Sequence, residues 1–287
     1  MAKHHISIVI ILSFILSACG LSGIGISPSS DAEMTTNPNA QTTLPTRAQK
    51  IRALTVFAAA SLTDAFQEIG KAFQAANPDV KVIYSFAGSQ ELRTQIEQGA
   101  VADIYACADH KNMDLLAAGN LIDSNSYQDF VTNRLVVILP SDNPAKLENL
   151  QDLAKPDMKL VLADSSVPAG NYARQILTNL SEDPAYGADF ISTVLANVVS
   201  NETDVRQVVT KVELGEADAG IVYISDAVAA PALITISIPE KFNVIAQYPI
   251  AILTNSPNPD LAAEFVAYVN STAGQAIMNR WGYTTED

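Results

Sequence analysis

Cysteine and histidine are scarce in this sequence, with two and three copies in 287 residues. His4 and His5 fall in an N-terminal segment that reads as an export signal, leaving His110 as the one imidazole of the mature chain. A zinc site of the usual His/Cys type does not fit that supply, and a Ser–His or Cys–His catalytic pair would have to use His110. "ADHKNMD" around His110 reads as a surface turn without a catalytic part. Basic residues are also short, 17 Lys and Arg against 31 Asp and Glu, for a formal charge of −14. Phosphate backbones are bound by Lys/Arg clusters, and none is visible, which argues against a nucleic-acid partner. Absent too are a G-x-S-x-G elbow and a glycine-rich phosphate loop with lysine. Ser61 is followed three residues later by Asp64, where penicillin-recognising enzymes need lysine. No enzyme motif is present, so no catalytic activity is expected; the rival reading is a serine-dependent hydrolase.

The N-terminus has a short basic start, then an apolar run from Ile6 to Leu16, then small residues ending at Cys19. The run is too short to span a bilayer and has the layout of a cleaved signal, residues 1–18. Leu16-Ser17-Ala18-Cys19 resembles the bacterial lipoprotein box, which implies cleavage before Cys19 and lipid attachment to its sulfur. Cys107 is then the one remaining thiol, so no internal disulfide is possible. From Cys19 to Lys50 the chain is rich in Ser, Thr, Pro, Asn and Gly and has no periodicity. Such a segment buries too little apolar surface to offset its ordering entropy and reads as a tether. The expected location is extracytoplasmic, held to the membrane by lipid.

From Arg52 onward short apolar runs alternate with helical patterns. "LTVFAAA" (54–60), "VKVIYSF" (80–86), "ADIYACA" (102–108), "RLVVILP" (134–140), "MKLVLAD" (158–164) and "AGIVYIS" (219–225) are strand candidates. Apolar strands separated by helices mark an α/β fold with mostly parallel sheets covered on both faces. The body is long for one doubly wound sheet. Crossovers near 133 and 245 predict one lobe of residues 51–133 plus 246–287 and a second of residues 134–245. No internal sequence repeat is visible. In such folds ligands sit at the carboxyl ends of strands, often between domains.

The helix starts carry the information. Ser61 follows "FAAA", Ser89 follows "FAG", Ala169 follows "ADSSVP", and Val205 follows "NETD". A helix N-terminus leaves about four N–H groups without intrahelical partners and carries roughly half a positive charge. Several converging on one cleft would bind an anion without any cationic side chain. Ser61 and Ser89 also suit ordinary N-caps, and Ser61 with Asp64 has the spacing of a capping box. Tyr223 reads by default as a buried strand residue. Asp64, Asp164 and Asp204 lie near these starts; Asp64 and Asp204 are expected to point away and cap their own helices. Spacing leaves the cap and anion readings both open.

The set "FAAASLTDAF", "FAGSQELRTQIEQGAVADIYACADHKNMD", "VPAGNYA", "TDVRQVV" and "ADAGIVYISDA", in this order, resembles the bacterial periplasmic molybdate-binding proteins of molybdate ABC transporters. The likeness runs from about Leu54 to Tyr283. It implies a two-lobed type II periplasmic-binding-protein fold with the ligand in the interlobe cleft. It implies hydroxyl and N–H donors from Ser61 and Ser89, backbone N–H from Ala169 and Val205, and the phenolic O–H of Tyr223. The ligand would be molybdate or tungstate held as an oxyanion, with no metal-ligating side chain and no cofactor; sulfate is the alternative oxyanion. The implied partner is a permease in the cytoplasmic membrane, and the protein is expected to act as a monomer. Gly88 and Gln90 stand where many members have serines, and Cys107 where a small hydroxyl residue is common; Cys107 is given no role.

Overall fold

The computed structural model describes residues 51–123 and 127–285. The expected signal peptide 1–18, Cys19 and the tether 19–50 lie outside the described residues.

β1 (Arg52–Ala59) passes through a 3-10 turn at Ala60–Leu62 into α1 (Thr63–Ala76). β2 (Val80–Ala87) leads to α2 (Ser89–Glu97), and β3 (Ile104–Ala106) to α3 (His110–Ala118). β4 (Gln128–Asn133) continues through Arg134 into β5 (Leu135–Leu139). There follow β6 (Leu160–Ala163), α4 (Pro168–Ser181), α5 (Phe190–Ala196), β7 (Val198–Glu202) and α6 (Val205–Glu213). Next come β8 (Ala219–Tyr223), α7 (Ile224–Ala229) and β9 (Ile234–Ser237). β10 (Ala246–Ile252), α8 (Pro259–Val269) and α9 (Thr272–Arg280) close the chain.

Two five-stranded sheets result, ordered β2-β1-β3-β10-β4 and β7-β6-β8-β5-β9. β1 is parallel to β2 and β3, while β10 is antiparallel to both β3 and β4, so one strand of the five is reversed. The second sheet repeats this: β6 is parallel to β7 and β8, and β5 is antiparallel to β8 and β9. Each reversed strand directly follows a crossing of the chain from one sheet to the other. The two lobes thus share one topology although no sequence repeat announces it.

Each lobe forms because apolar residues alternate on strands buried on both faces. In β1, Leu54, Val56 and Ala58 join the main core under α1, whereas Phe57 faces α2 and α3 with Tyr105, Cys107 and Met113. α1 buries Phe66, Ile69 and Phe73, three and four residues apart on one face. His110, expected on a surface turn, is the first residue of α3, because Asp109 caps that helix by accepting from Asn112 N–H. Four strands beyond the expected set are present: β4, β7, β9 and β10. β7 and β9 are sheet edges with alternating or exposed residues, so they lack the continuous apolar run that marks a central strand.

The lobes touch through several polar side chains. Gln90 Nε2 of α2 donates to the Thr203 carbonyl at 3.0 Å, and Asn133 Nδ2 donates to Ser225 Oγ at 2.8 Å. Arg206 of α6 pairs with Asp64 of α1. Asp64 therefore does not cap its own helix, as expected from sequence, but reaches the opposite lobe. The other Arg206 nitrogen lies 3.7 Å from Asp226 Oδ1. Asp226 is fully buried, and burial pushes its carboxyl up to about 7 against the pull of Arg206.

Two outcomes follow from this packing. Phe66 is fully buried, with ring centroids 5.8 Å from Phe130 and 6.2 Å from Phe265. Phe66→Ala should cost about 3–5 kcal/mol in denaturant unfolding through the lost rings and the cavity left. Asp226 keeps its proton in the folded chain between about pH 4 and about pH 7, where the unfolded carboxyl has lost it. Its contribution to stability is therefore full below about pH 4 and falls as pH rises toward 7. The total is of the order of 4 kcal/mol. Asp226→Asn should flatten the pH dependence of the melting temperature in that window, with the change largest near neutrality.

Candidate oxyanion site

Ser61, Ser89, Ala169, Val205 and Tyr223 come from five separate segments, and the structure brings all five to the wall of one small cavity. Each sits at or just after the carboxyl end of a strand: β1, β2, β6, β7 and β8 respectively. The first two belong to one sheet and the last three to the other. None of the residues lining the cavity is lysine or arginine.

Ser61 lies in the 3-10 turn before α1 and is 5% exposed. The capping box expected with Asp64 does not form, since the N-cap of α1 is Leu62, with no side-chain cap. Ser61 Oγ instead lies 3.0 Å from the Tyr248 hydroxyl, and its carbonyl accepts from Tyr283 Oη at 2.7 Å. Ser89 is likewise not a cap: Gly88 holds that position and Ser89 is the first helical residue. Its Oγ accepts from Ala108 N–H at 3.1 Å, and its carbonyl accepts from Tyr105 Oη at 2.8 Å. Both serines are thus fixed from behind; the Ser89 bond leaves its hydroxyl proton uncommitted, and in the Ser61–Tyr248 pair either hydroxyl can be the donor.

α4 begins with Pro168, so Ala169 presents the first available N–H of that helix. Gly170 is required there: a Cβ at this position would overlap the Ala163 and Asp164 carbonyls. α6 begins under Asp204, whose Oδ1 accepts from Arg206 N–H at 2.9 Å and Gln207 N–H at 3.1 Å. That cap, expected from sequence, consumes the second and third amides and leaves the first, Val205 N–H, for the cavity. Asp164 turns to Ser166, accepting from its N–H and Oγ, and those bonds hold its carboxyl below the usual range.

Tyr223 is 1% exposed and its hydroxyl has no hydrogen-bond partner. The Tyr248 hydroxyl lies near enough to bear on its ionisation without completing a bond. Burial pushes the phenols of Tyr223 and Tyr248 well above the ordinary tyrosine value, so both carry protons. A buried hydroxyl without a partner is costly in a folded protein. Here it faces a cavity ringed by other donors. Of the cations near these helix starts, Arg206 is occupied by Asp64 and Asp226, and Arg174 donates to the Ala163 and Gly170 carbonyls.

Sequence reasoning did not single out Tyr248, Tyr283, Tyr105 or Ala108, which hold the two serines from behind. Tyr248 and Tyr105 are single tyrosines in apolar runs and Tyr283 stands in a polar stretch, and nothing in their spacing marks them for a site. His110 pairs with Asp129 at 2.9 Å on the surface, and Cys107 is buried on the far face of the first sheet, donating to the Asp109 carbonyl. Among the described residues no group of three or more His, Cys, Asp or Glu could hold a metal ion.

This architecture and cavity have known counterparts. Residues 54–284 match the family described as bacterial extracellular solute-binding protein. The chain is 40% identical over 236 residues to the molybdate-binding protein ModA of Mycobacterium tuberculosis H37Rv, covering 82% of this chain and 85% of that one. A solved substrate-binding domain of a putative molybdenum ABC transporter from Clostridium difficile superposes with a TM-score of 0.61 at 31% identity, covering 82% of this chain and 99% of that one. The Azotobacter vinelandii periplasmic molybdate-binding protein shares the fold, with a TM-score of 0.71 at 20% identity over 82% of this chain and all of that one. The two-lobed α/β fold, the sequence match over most of the chain and the matched span together show that this chain belongs to the bacterial extracellular solute-binding protein family, alongside the molybdate-binding proteins named ModA.

Proposed function

We propose that the protein captures molybdate or tungstate outside the cytoplasmic membrane and delivers it to an ABC transporter permease. The observation that carries this reading is the cavity itself: donors from both lobes converge on it, and no cationic side chain lines it. Ser61 and Ser89 would supply hydroxyl and N–H, Ala169 and Val205 N–H, and Tyr223 its phenolic O–H. The ion is held through its oxygens, without a metal-ligating side chain and without a cofactor. Residues 51–133 with 246–287 form one lobe and residues 134–245 the other, hinged at the two crossings between the sheets. Lipid on Cys19 anchors the mature chain, residues 19–50 tether it, and the protein works as a monomer.

Energetics support the reading on so acidic a chain. A hydrogen bond to a charged group contributes roughly 1.5–3 kcal/mol. Five at the low end sum to about 7 kcal/mol, near micromolar affinity before association costs. Surface repulsion is screened within about 8 Å at physiological salt. The cavity also selects by protonation, because Asp204, the one carboxylate residue on its wall, is taken up by its own helix; molybdate, tungstate and sulfate are full dianions near neutral pH whereas phosphate retains a proton. A hydrolase reading finds no support in the serines, whose hydroxyls meet Tyr248 and the Ala108 N–H and no imidazole.

Thermal unfolding of the full chain with each oxyanion in turn tests the proposal. At 100 times the dissociation constant, a true ligand adds about 2.7 kcal/mol. For a body of this size that raises the melting temperature by about 5–10 °C. Molybdate and tungstate should give that shift and phosphate should not; no shift with either metal oxyanion refutes the function. Ser89→Ala should weaken molybdate binding about 10- to 100-fold, as the loss of one charge-assisted bond requires. The unliganded body should stay folded, with a smaller loss from the unpaired Ala108 N–H. Equal affinity in that variant would remove Ser89 from the site.

A further inference from the structure

Tyr248 lies on β10, fully buried, in the first lobe behind Ser61. Its ring meets Tyr223 at 5.7 Å and Tyr283 at 5.4 Å in edge-on contacts, so the phenol has little freedom to swing away. Its hydroxyl carries one proton, and among the described residues Ser61 Oγ at 3.0 Å is the one atom with which it makes a hydrogen bond. Were Ser61 the donor in that pair, the phenolic proton would be buried with no acceptor, the costly arrangement. Tyr248 therefore donates, a Ser61 lone pair accepts, and the Ser61 proton turns toward the cavity.

Resting on the oxyanion reading of the cavity, we infer that Tyr248 is a positioning residue that locks Ser61 as a donor and so bars oxyanions that carry a proton. Ser89 is set the same way by the Ala108 N–H, a backbone group that side-chain substitution cannot remove. Tyr248 is thus the side chain through which the polarity of one cavity hydroxyl is fixed. With Tyr248 in place, a protonated oxyanion brings its own donor against donors and leaves that bond unmade. Without the Tyr248 hydroxyl, Ser61 is free to rotate and accept from such an ion. Discrimination against phosphate then weakens even though Ser61 itself is unchanged.

Calorimetric titration of the full chain with molybdate near neutral pH, and with phosphate in competition against it, tests this. The proteins are the parent, Tyr248→Phe, Ser61→Ala, the double variant and Tyr283→Phe; melting curves verify that each is folded. Phenylalanine keeps the ring and its edge contacts, so the fold is expected to survive. Tyr248→Phe should weaken molybdate about 3- to 10-fold and narrow the molybdate-to-phosphate affinity ratio at least tenfold. In the Ser61→Ala background the same change should alter molybdate affinity less than twofold, since its effect runs through the Ser61 hydroxyl. Tyr283→Phe removes the bond to the Ser61 carbonyl and keeps the ring against Tyr248, so it should lower both affinities alike and leave the ratio unmoved. An equal loss from Tyr248→Phe in both backgrounds, or an unchanged ratio, overturns the inference and leaves Tyr248 a packing residue. A parent chain that binds neither molybdate nor tungstate overturns the oxyanion reading, and this inference falls with it.

Discussion

Helix starts that keep a spare N–H are the constraint on which this structure turns. A helix is normally capped so that its first amides are satisfied. At α6 the Asp204 carboxylate takes two amides and stops, leaving Val205 N–H at the cavity. At α2 the expected capper, Ser89, sits one residue inside the helix and gives its oxygen to Ala108 instead. At α4 proline occupies the first position, so the amide of Ala169 becomes the exposed one. These are departures from the arrangement that would stabilise each helix best in isolation. Local under-satisfaction at several converging positions reads as a site when any one alone would not.

Bringing those amides together places demands on the fold around them. Parallel strands deliver helix N-termini to one edge, and two sheets of the same order present two such edges to each other. Close approach then requires glycine where backbone meets backbone: Gly170 under the Ala163 and Asp164 carbonyls, and Gly88 beside the Thr203 carbonyl of the other lobe. The acidic balance has to be kept off the cleft as well. Asp164 is turned to Ser166, Asp204 to its helix, and Asp64 to Arg206, so each carboxylate near the cavity has a partner other than a ligand. Arg206 in turn holds the charges of both lobes together and stays out of the cavity wall.

The α/β class, the interior strands other than β10, and all five cavity residues were legible in the sequence, the last through ordered phrases and not through any single spacing. What was illegible follows a physical pattern. β7 and β9 are edge strands, which bury less and carry no continuous apolar run. Asp64 has the spacing of a cap, and only the approach of α6 from the opposite lobe draws it away. The repeated topology leaves no repeated sequence, because sheet order is set by burial pattern and crossover, which many residues satisfy equally. Tyr105, Tyr248 and Tyr283 looked like core aromatics, and they are core aromatics. Their second task depends on where a hydroxyl lands in three dimensions, and no linear pattern encodes that.

That second task bears on how a neutral pocket can be selective. Backbone N–H groups are donors by constitution, but a hydroxyl can give or accept, and left alone it will adapt to whatever ion enters. Selectivity therefore requires something behind each hydroxyl to occupy its acceptor capacity. In this protein a backbone amide does so for Ser89 and a buried phenol for Ser61. Placing phenols in the core is costly unless their bonds are made, and Tyr105 and Tyr283 meet that requirement by donating to the serine carbonyls. Among the described residues Tyr223 carries the one fully buried hydroxyl left without a partner, and it lies at the cavity wall. That unpartnered phenol stands where a bound ion would touch it, so on the proposed reading an ion with only acceptor oxygens takes up its proton and one bearing a proton of its own brings a donor against donors.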